Sequence, residues 1–275
     1  MPTLAETGAA FGLLLALAHH RRDRPMPFML LSGAAISLAA WPLLRILNHL
    51  TMSIPFPLAD ARLAALDATI GFDWLAYVRW MDAHPGLLGL TNLTYQSLSY
   101  YSCAAFLLLL VARGPARARE FVLLFLSAAI LTIVTGILLP ARGAMLFHAP
   151  EAALFHHIVP GETGTYFWPA LNALRSDPNH MLELGNLPGL VAIPSFHTAM
   201  GVIMICCSRG GPRLFLPSLT LNLLMIAGTP VWGGHYAVDI LAGAGLALTL
   251  VVILRWRNQG QARRGFARGG ILAPA

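Results

Sequence analysis

Two short segments carry residue types that can do chemistry together. In Gly233-Gly234-His235-Tyr236-Ala237-Val238-Asp239, a histidine stands four residues ahead of an aspartate. Residues four apart lie one above the other on a helix, so Asp239 can hold one imidazole nitrogen of His235 and leave the other nitrogen's lone pair free. A carboxylate orients a catalytic histidine in this way in hydrolytic triads. The same pair can also be a structural contact, or two ligands of a metal. The second segment, Pro194-Ser195-Phe196-His197, sets another histidine beside a serine with a hydroxyl and an amide to offer. Pro194 suits a first helical turn. Gly233-Gly234 allows a substrate close to the backbone, and the helix start beyond it presents N–H groups to an anion. One histidine at a helix end is commonly an interfacial residue; two such segments on one side of the chain favour catalysis.

The elements that must position these residues are membrane spans. Of 275 residues, 57% are hydrophobic and 11% charged, with a mean hydropathy of +0.66, whereas soluble domains hold about 25% charged residues. A bilayer core takes about 20 apolar residues per helix, and runs of that kind are Phe28–Leu44, Leu87–Val111, Phe121–Pro140, Leu190–Cys207, Leu214–Val231 and His235–Leu254. A shorter run, Thr3–Ala18, contains Glu6 and ends in Ala16-Leu17-Ala18, which resembles a signal-peptidase site. No arginine precedes it and Arg21, Arg22 and Arg24 follow, so it is expected to be a first transmembrane helix with its N-terminus outside. Seven spans then place 13 of the 18 arginines on one side, in alternate connections and the C-terminal tail. That side is expected to be the cytoplasm.

The expected fold is therefore an all-α integral membrane protein with about seven transmembrane helices, in one polytopic domain over 1–256. The two long connections, 49–86 and 141–189, fall on the extracytoplasmic side, and 257–275 is an Arg/Gly-rich cytoplasmic tail whose segment Arg263–Gly270 is expected to be irregular and near anionic headgroups. Within Pro57–His84, Leu63, Leu66 and Ile70 share one helical face and Asp60 and Asp67 another, while Trp74, Tyr77, Val78 and Met81 repeat the spacing. Amphipathic helices lying in the interface explain this. The Ala141–Gly189 connection carries His148, His156, His157, His180 and Tyr166-Phe167-Trp168, and a loop of that length is usually functional. Tyr95, Gln96, Ser97, Tyr100 and Tyr101 make a polar stripe on the third span, better read as helix packing than as a site lining.

Several chemistries are excluded. Every basic residue is arginine, which rules out lysine nucleophiles and Schiff bases and points to a GC-rich bacterial coding bias. The net charge of +6 follows the positive-inside pattern, so no nucleic-acid partner is expected. Cys103, Cys206 and Cys207 lie in apolar runs without metal-site spacing and are expected to pack. The loop histidines lack matching carboxylates, and no metal site or cofactor is expected.

Pro194-Ser195-Phe196-His197 followed by His235 and Asp239 resembles the second and third signature motifs of the type 2 phosphatidic acid phosphatase superfamily. The stretch Gly189–Gly243, with PSFHTA at 194–199, LN at 221–222 and GGHYAVDILAG at 233–243, is similar to its inositol phosphorylceramide synthase-like (inositolphosphotransferase-like) branch. Leu66-Asp67 and Ile70-Gly71-Phe72-Asp73-Trp74 resemble the interfacial helix before that branch's core. The resemblance is strong over about 55 residues and loose over Pro57–Leu254.

The resemblance implies a six-helix core, spans two to seven here (about 28–256), and a metal-independent mechanism. His235 would attack phosphorus, Asp239 would orient it and stabilise its charge, and His197 would protonate the leaving alkoxide. Ser195 and Gly234 would contact the phosphate. Two departures stand out: Thr229-Pro230 occupies the place of a Ser-Arg pair, and a first motif that begins with lysine cannot be complete. Arg142, in Pro140-Ala141-Arg142-Gly143, is the nearest phosphate clamp; it reads equally well as a headgroup anchor. The implied substrate is a phospholipid, sphingolipid or polyprenyl phosphate, handled at the periplasmic face of a multi-pass protein of the plasma (inner) membrane, with a cytoplasmic C-terminus. A non-catalytic lipid-phosphate binding protein or a transporter is the alternative. Oligomeric state is not legible.

Overall fold

The computed structural model describes residues 4–177, 179–185 and 187–269, with side chains described for 6–259 within them. Thr3 and the tail beyond residue 269 lie outside the described residues, as do the side chains of Arg263, Arg264 and Arg268.

Twelve α-helices and one short 3-10 turn, with no strand, make up the described residues. In chain order they are α1 (Leu4–His20), α2 (Pro25–Met52), α3 (Asp60–Thr69), α4 (Trp74–Asp82), α5 (Pro85–Gln96) and α6 (Leu98–Arg113). There follow α7 (Pro115–Gly136), α8 (Ala144–His148), α9 (Trp168–Ser176), α10 (Phe196–Ser208), α11 (Pro212–Trp232) and α12 (Ala237–Gly269). Proline in the first turn opens α2, α5, α7, α9 and α11, where its missing N–H costs nothing and its φ is already helical.

Among the described residues, α2, α7, α11 and the 237–259 part of α12 are long and apolar enough to cross a membrane. The bent pair α5 and α6 makes a fifth if it counts as one span. That is fewer than the seven read from the sequence. α1 has 17 residues, and α10 has 13 because its helix starts only after Pro194, leaving Leu190–Ile193 as irregular chain. The expected third span is bent by 66° at Ser97. Large apolar side chains such as Leu43, Leu93, Val111, Leu138 and Val252 stand on the outside, which suits hydrocarbon and not water.

α10 is central and packs on α7, α11 and α12. Met200, Ile203, Met204 and Cys207 from α10 meet Leu124, Met225 and Ala247 in the main apolar core. A second core lies at the histidine end, where Leu63, Trp74, Val78 and Met81 of α3 and α4 pack with Met145, Val231 and Tyr236.

The faces of α3 sort differently from the sequence reading. Leu63 turns inward together with Asp60 and Asp67, all three buried, while Leu66 and Ile70 are half exposed. The carboxylates are drawn inside because loop amides await them there, as shown below. The tail also differs: the backbone of α12 stays helical through 263–269, where composition predicts irregular chain. Ala and Arg there support a helix, and no proline interrupts α12 although Gly260 and Gly265 lie inside it.

Candidate active site

The turn between α11 and α12 and the N-terminus of α10 come together at one place. His235 Nδ1 lies 3.2 Å from Asp239 Oδ2, the contact that the four-residue spacing predicts. Its Nε2 lies 3.4 Å from Ser195 Oγ. Asp239 is fully buried, and the same Oδ2 accepts the Tyr236 amide at 3.0 Å. Asp239 lies in the first turn of α12, and His235 stands in the irregular chain two residues before its start.

Ser195 is the N-cap of α10 and accepts from the Thr198 amide and hydroxyl, so its side chain is set by local helix logic. Its own amide donates to the Asp239 carbonyl at 2.9 Å. That amide is therefore not available to an anion, and it locks the two motifs to each other. Gly243 completes the lock: a Cβ there would sit 2.3 Å from the Ser195 carbonyl oxygen.

His197, half-buried, stacks on Tyr95 of α5 with ring centroids 3.9 Å apart and planes at 10°. A Cβ on Gly233 would meet both the Tyr95 hydroxyl, at 2.7 Å, and the His235 ring, at 2.6 Å. Tyr95 thus stands beside both histidines. Tyr95 also reaches Tyr166 of the long loop, hydroxyl to hydroxyl at 3.4 Å. The polar stripe therefore divides. Tyr95 belongs to the site, Tyr101 packs by accepting a hydrogen bond from buried Asn222 at 3.1 Å, and Tyr100 is 83% exposed.

Three buried aspartates outside the motifs hold this arrangement. Asp67 accepts the amides of Ala237 and Val238, each at 2.9 Å. The first-turn N–H groups of α12 are therefore satisfied by an internal carboxylate and are not free for a substrate. Asp60 accepts the amides of Arg142 and Gly143, each at 3.1 Å, and the Tyr236 hydroxyl at 2.9 Å. Burial, and then the charge of Asp60, push the Tyr236 phenol far above its ordinary range, so it remains a donor. Asp82 accepts the amides of His156, His157 and Ile158 at 2.7–2.8 Å. Burial raises the Asp82 carboxyl, but these three amides and the His157 charge outweigh it and hold the group below the usual carboxylate range. The sequence offered one signal for this role: Asp60 and Asp67 share a face in a chain with 12 acidic residues.

Gly234 takes a left-handed φ of +61°. The chain that comes close to it is the protein's own loop: its carbonyl accepts the Ala144 amide at 2.7 Å, and a Cβ on it would lie 2.4 Å from the Gly164 carbonyl oxygen. Arg142 is brought to the same neighbourhood by its backbone, while its guanidinium stands 5.5 Å from the centre of the Phe147 ring. No described contact joins that guanidinium to His197, Ser195 or His235. The loop histidines do not converge: His148 stacks on Trp74 at 5.2 Å, and His156 and His157 are tied by their amides to Asp82.

The fold and site together define a polytopic helical membrane protein with two histidines at one end of the bundle, one of them paired to a buried aspartate. The chain belongs to the PAP2 superfamily, whose family model matches residues 61–253. The match begins inside α3 and ends inside α12, close to the span over which the resemblance was loose, and α1 and α2 precede it. Comparison with curated proteins and with solved structures gives no match. Membership supports a phosphatase-type activity on a lipid phosphate.

Proposed function

We propose that this protein cleaves a phosphorylated lipid at the extracytoplasmic face through a phosphohistidine on His235, and belongs to the inositol phosphorylceramide synthase-like branch, which passes the phospho-headgroup to a lipid or polyol hydroxyl. The observation that carries the reading is the 3.2 Å contact between His235 Nδ1 and Asp239 Oδ2, with Nε2 turned toward Ser195 Oγ. Nδ1–H donates to the carboxylate, so Nε2 keeps its lone pair. Nε2 attacks phosphorus, the bond from phosphorus to the lipid oxygen breaks, and the departing alkoxide takes a proton from His197. Neutral His197 then accepts a proton from water or an alcohol as its oxygen displaces His235. Asp239 compensates the cationic imidazole in between.

Ser195 Oγ, the Gly234 backbone and Arg142 are assigned to the phosphate. Arg142 must swing off Phe147 to reach it, and a guanidinium suits phosphate oxygens bidentately. The periplasmic location in the inner membrane rests on the arginine distribution.

The test uses purified wild type and His235→Ala with labelled lipid phosphates and phosphodiesters (glycerophospholipid, sphingolipid and polyprenyl), in chelator, with and without inositol or glycerol-type acceptors. Free phosphate that depends on His235 establishes hydrolysis. A new phospholipid formed only with acceptor establishes transfer. Turnover unchanged in His235→Ala overturns the assignment. Lipid movement across liposomes without headgroup cleavage points to a transporter instead.

A further inference from the structure

At the opposite end of the bundle from the histidines, α10 and α12 enclose an open groove of about 380 Å³ lined by Cys206, Arg209, Leu248, Val252, Arg255 and Trp256. His197 lies in the first turn of α10 and Arg209 follows its last residue; Asp239 lies in the first turn of α12 and Arg255 stands 16 residues on, about 24 Å at helical rise.

One face of α12 supplies most of the groove. Leu248, Val252 and Trp256 follow one another in steps of four, a run of about 12 Å. They are 49%, 66% and 74% exposed, so no part of the described chain covers them. The face is graded: aliphatic at Leu248 and Val252, then an indole and a guanidinium at Trp256 and Arg255. That order matches a lipid, with tail against the aliphatic part and headgroup at the end where interfacial aromatic rings and arginines gather.

The charges select the headgroup. Glu120 is a carboxylate beside this groove, and it is already engaged by Arg117 and by Arg255 Nε at 2.9 Å. Arg255 Nη2 donates to the Cys206 carbonyl at 2.9 Å, which fixes its plane at the groove wall. Arg113 is turned aside to the Gly210 carbonyl at 3.0 Å. Arg209 has no carboxylate within ion-pair distance among the described residues and stands exposed at the rim. A planar guanidinium with five donors and no acceptor calls for an anion.

We infer that this groove is a binding site for one anionic glycerophospholipid, separate from the catalytic site, with its phosphate on Arg209 and Arg255 and an acyl chain along Leu248 and Val252.

The experiment is native mass spectrometry of the full chain released from nanodiscs of phosphatidylcholine with a minor share of phosphatidylglycerol. One retained phosphatidylglycerol per chain is expected, and Arg209→Gln should lower its retention about five-fold, the factor for one cation at an anionic surface. Val252→Ser should also lower it, because the acyl track loses apolar contact. Arg209 and Val252 are exposed, so thermal midpoints in pure phosphatidylcholine should match wild type. Equal retention of both lipids, or retention unchanged in Arg209→Gln and Val252→Ser, overturns the site. So does loss of the lipid to millimolar inorganic phosphate, which would make it a site for the free anion, or cross-linking between copies through residue 252, which would make it a protein interface.

Discussion

The backbones of Gly164 and Gly234 cross so closely that a Cβ on Gly234 would lie 2.4 Å from the Gly164 carbonyl oxygen, and a Cβ on Gly164 would lie 2.9 Å from the Gly234 nitrogen. Both residues have left-handed φ angles, +69° and +61°. The long loop is therefore seated on the turn that carries His235, with no side chain between them. Gly164→Ala should cost about 1–3 kcal/mol from backbone strain alone, with the clash added, and should lower turnover. Gly161→Ala, equally left-handed at +92° but open in space, should pay the strain only. Thermal unfolding of the two variants side by side checks the difference.

Asp67 joins α3 to the first turn of α12, so its charge is a positioning element for His235 and Asp239. Asp67→Asn keeps one acceptor but points an NH₂ at a backbone N–H. The expected loss is about 1–3 kcal/mol of stability, as for a buried donor left unpaired, and kcat should fall while KM for the lipid stays near wild type. Asp73, an exposed cap of α4 that accepts the Ala76 amide at 2.9 Å, is the control: Asp73→Asn should cost under about 1 kcal/mol and leave kcat alone. Equal kcat in both variants would remove Asp67 from the positioning role.

The assigned roles of the site residues make separate demands. His235→Ala and His197→Ala should each abolish turnover while circular dichroism stays native. Asp239→Asn should fall by about 10²–10⁴-fold, as when an orienting carboxylate is lost from a histidine. Because one histidine acts neutral and the other protonated, kcat/KM should be bell-shaped in pH. A profile with a single ionisation in wild type would sink the acid–base division between them.

Asp82 gives a stability test that does not depend on catalysis. Its carboxylate form is the one that holds the His156–Ile158 amides, so its contribution is full above the ordinary carboxylate pKa of about 3.9 and disappears as pH falls through its lower folded-state value. Wild type should therefore exceed Asp82→Asn in thermal midpoint at pH 7, and the gap should narrow below about pH 4. A gap independent of pH would show that the carboxylate charge is not what anchors the loop.

Much of the site could be read directly because its logic is local. His235 and Asp239 are four residues apart across the start of α12, so no distant contact is needed to pair them, and Ser195 caps its own helix. The apolar runs likewise located the long helices, since crossing a bilayer imposes length and composition on each segment independently. The expectation failed where a neighbouring element decides. α10 stops short of a full span because Leu190–Ile193, apolar by type, run as irregular chain before Pro194. Tyr95 is a site residue only because α5 sets it against His197 across about 100 residues of chain.

The amide partners of Asp60, Asp67 and Asp82 lie 82, 170 and 74 residues away or more, and no periodicity within α3 or α4 encodes which amides those are. By itself the sequence determined a helical membrane chain, the two histidine segments and the pairing of His235 with Asp239, because hydropathy and helical spacing act within a few turns. Only the tertiary structure decided that α3 turns its carboxylates inward, that the loop sits on Gly234 and that the start of α12 is already satisfied. A buried charge or amide must find its partner wherever the packed chain provides one.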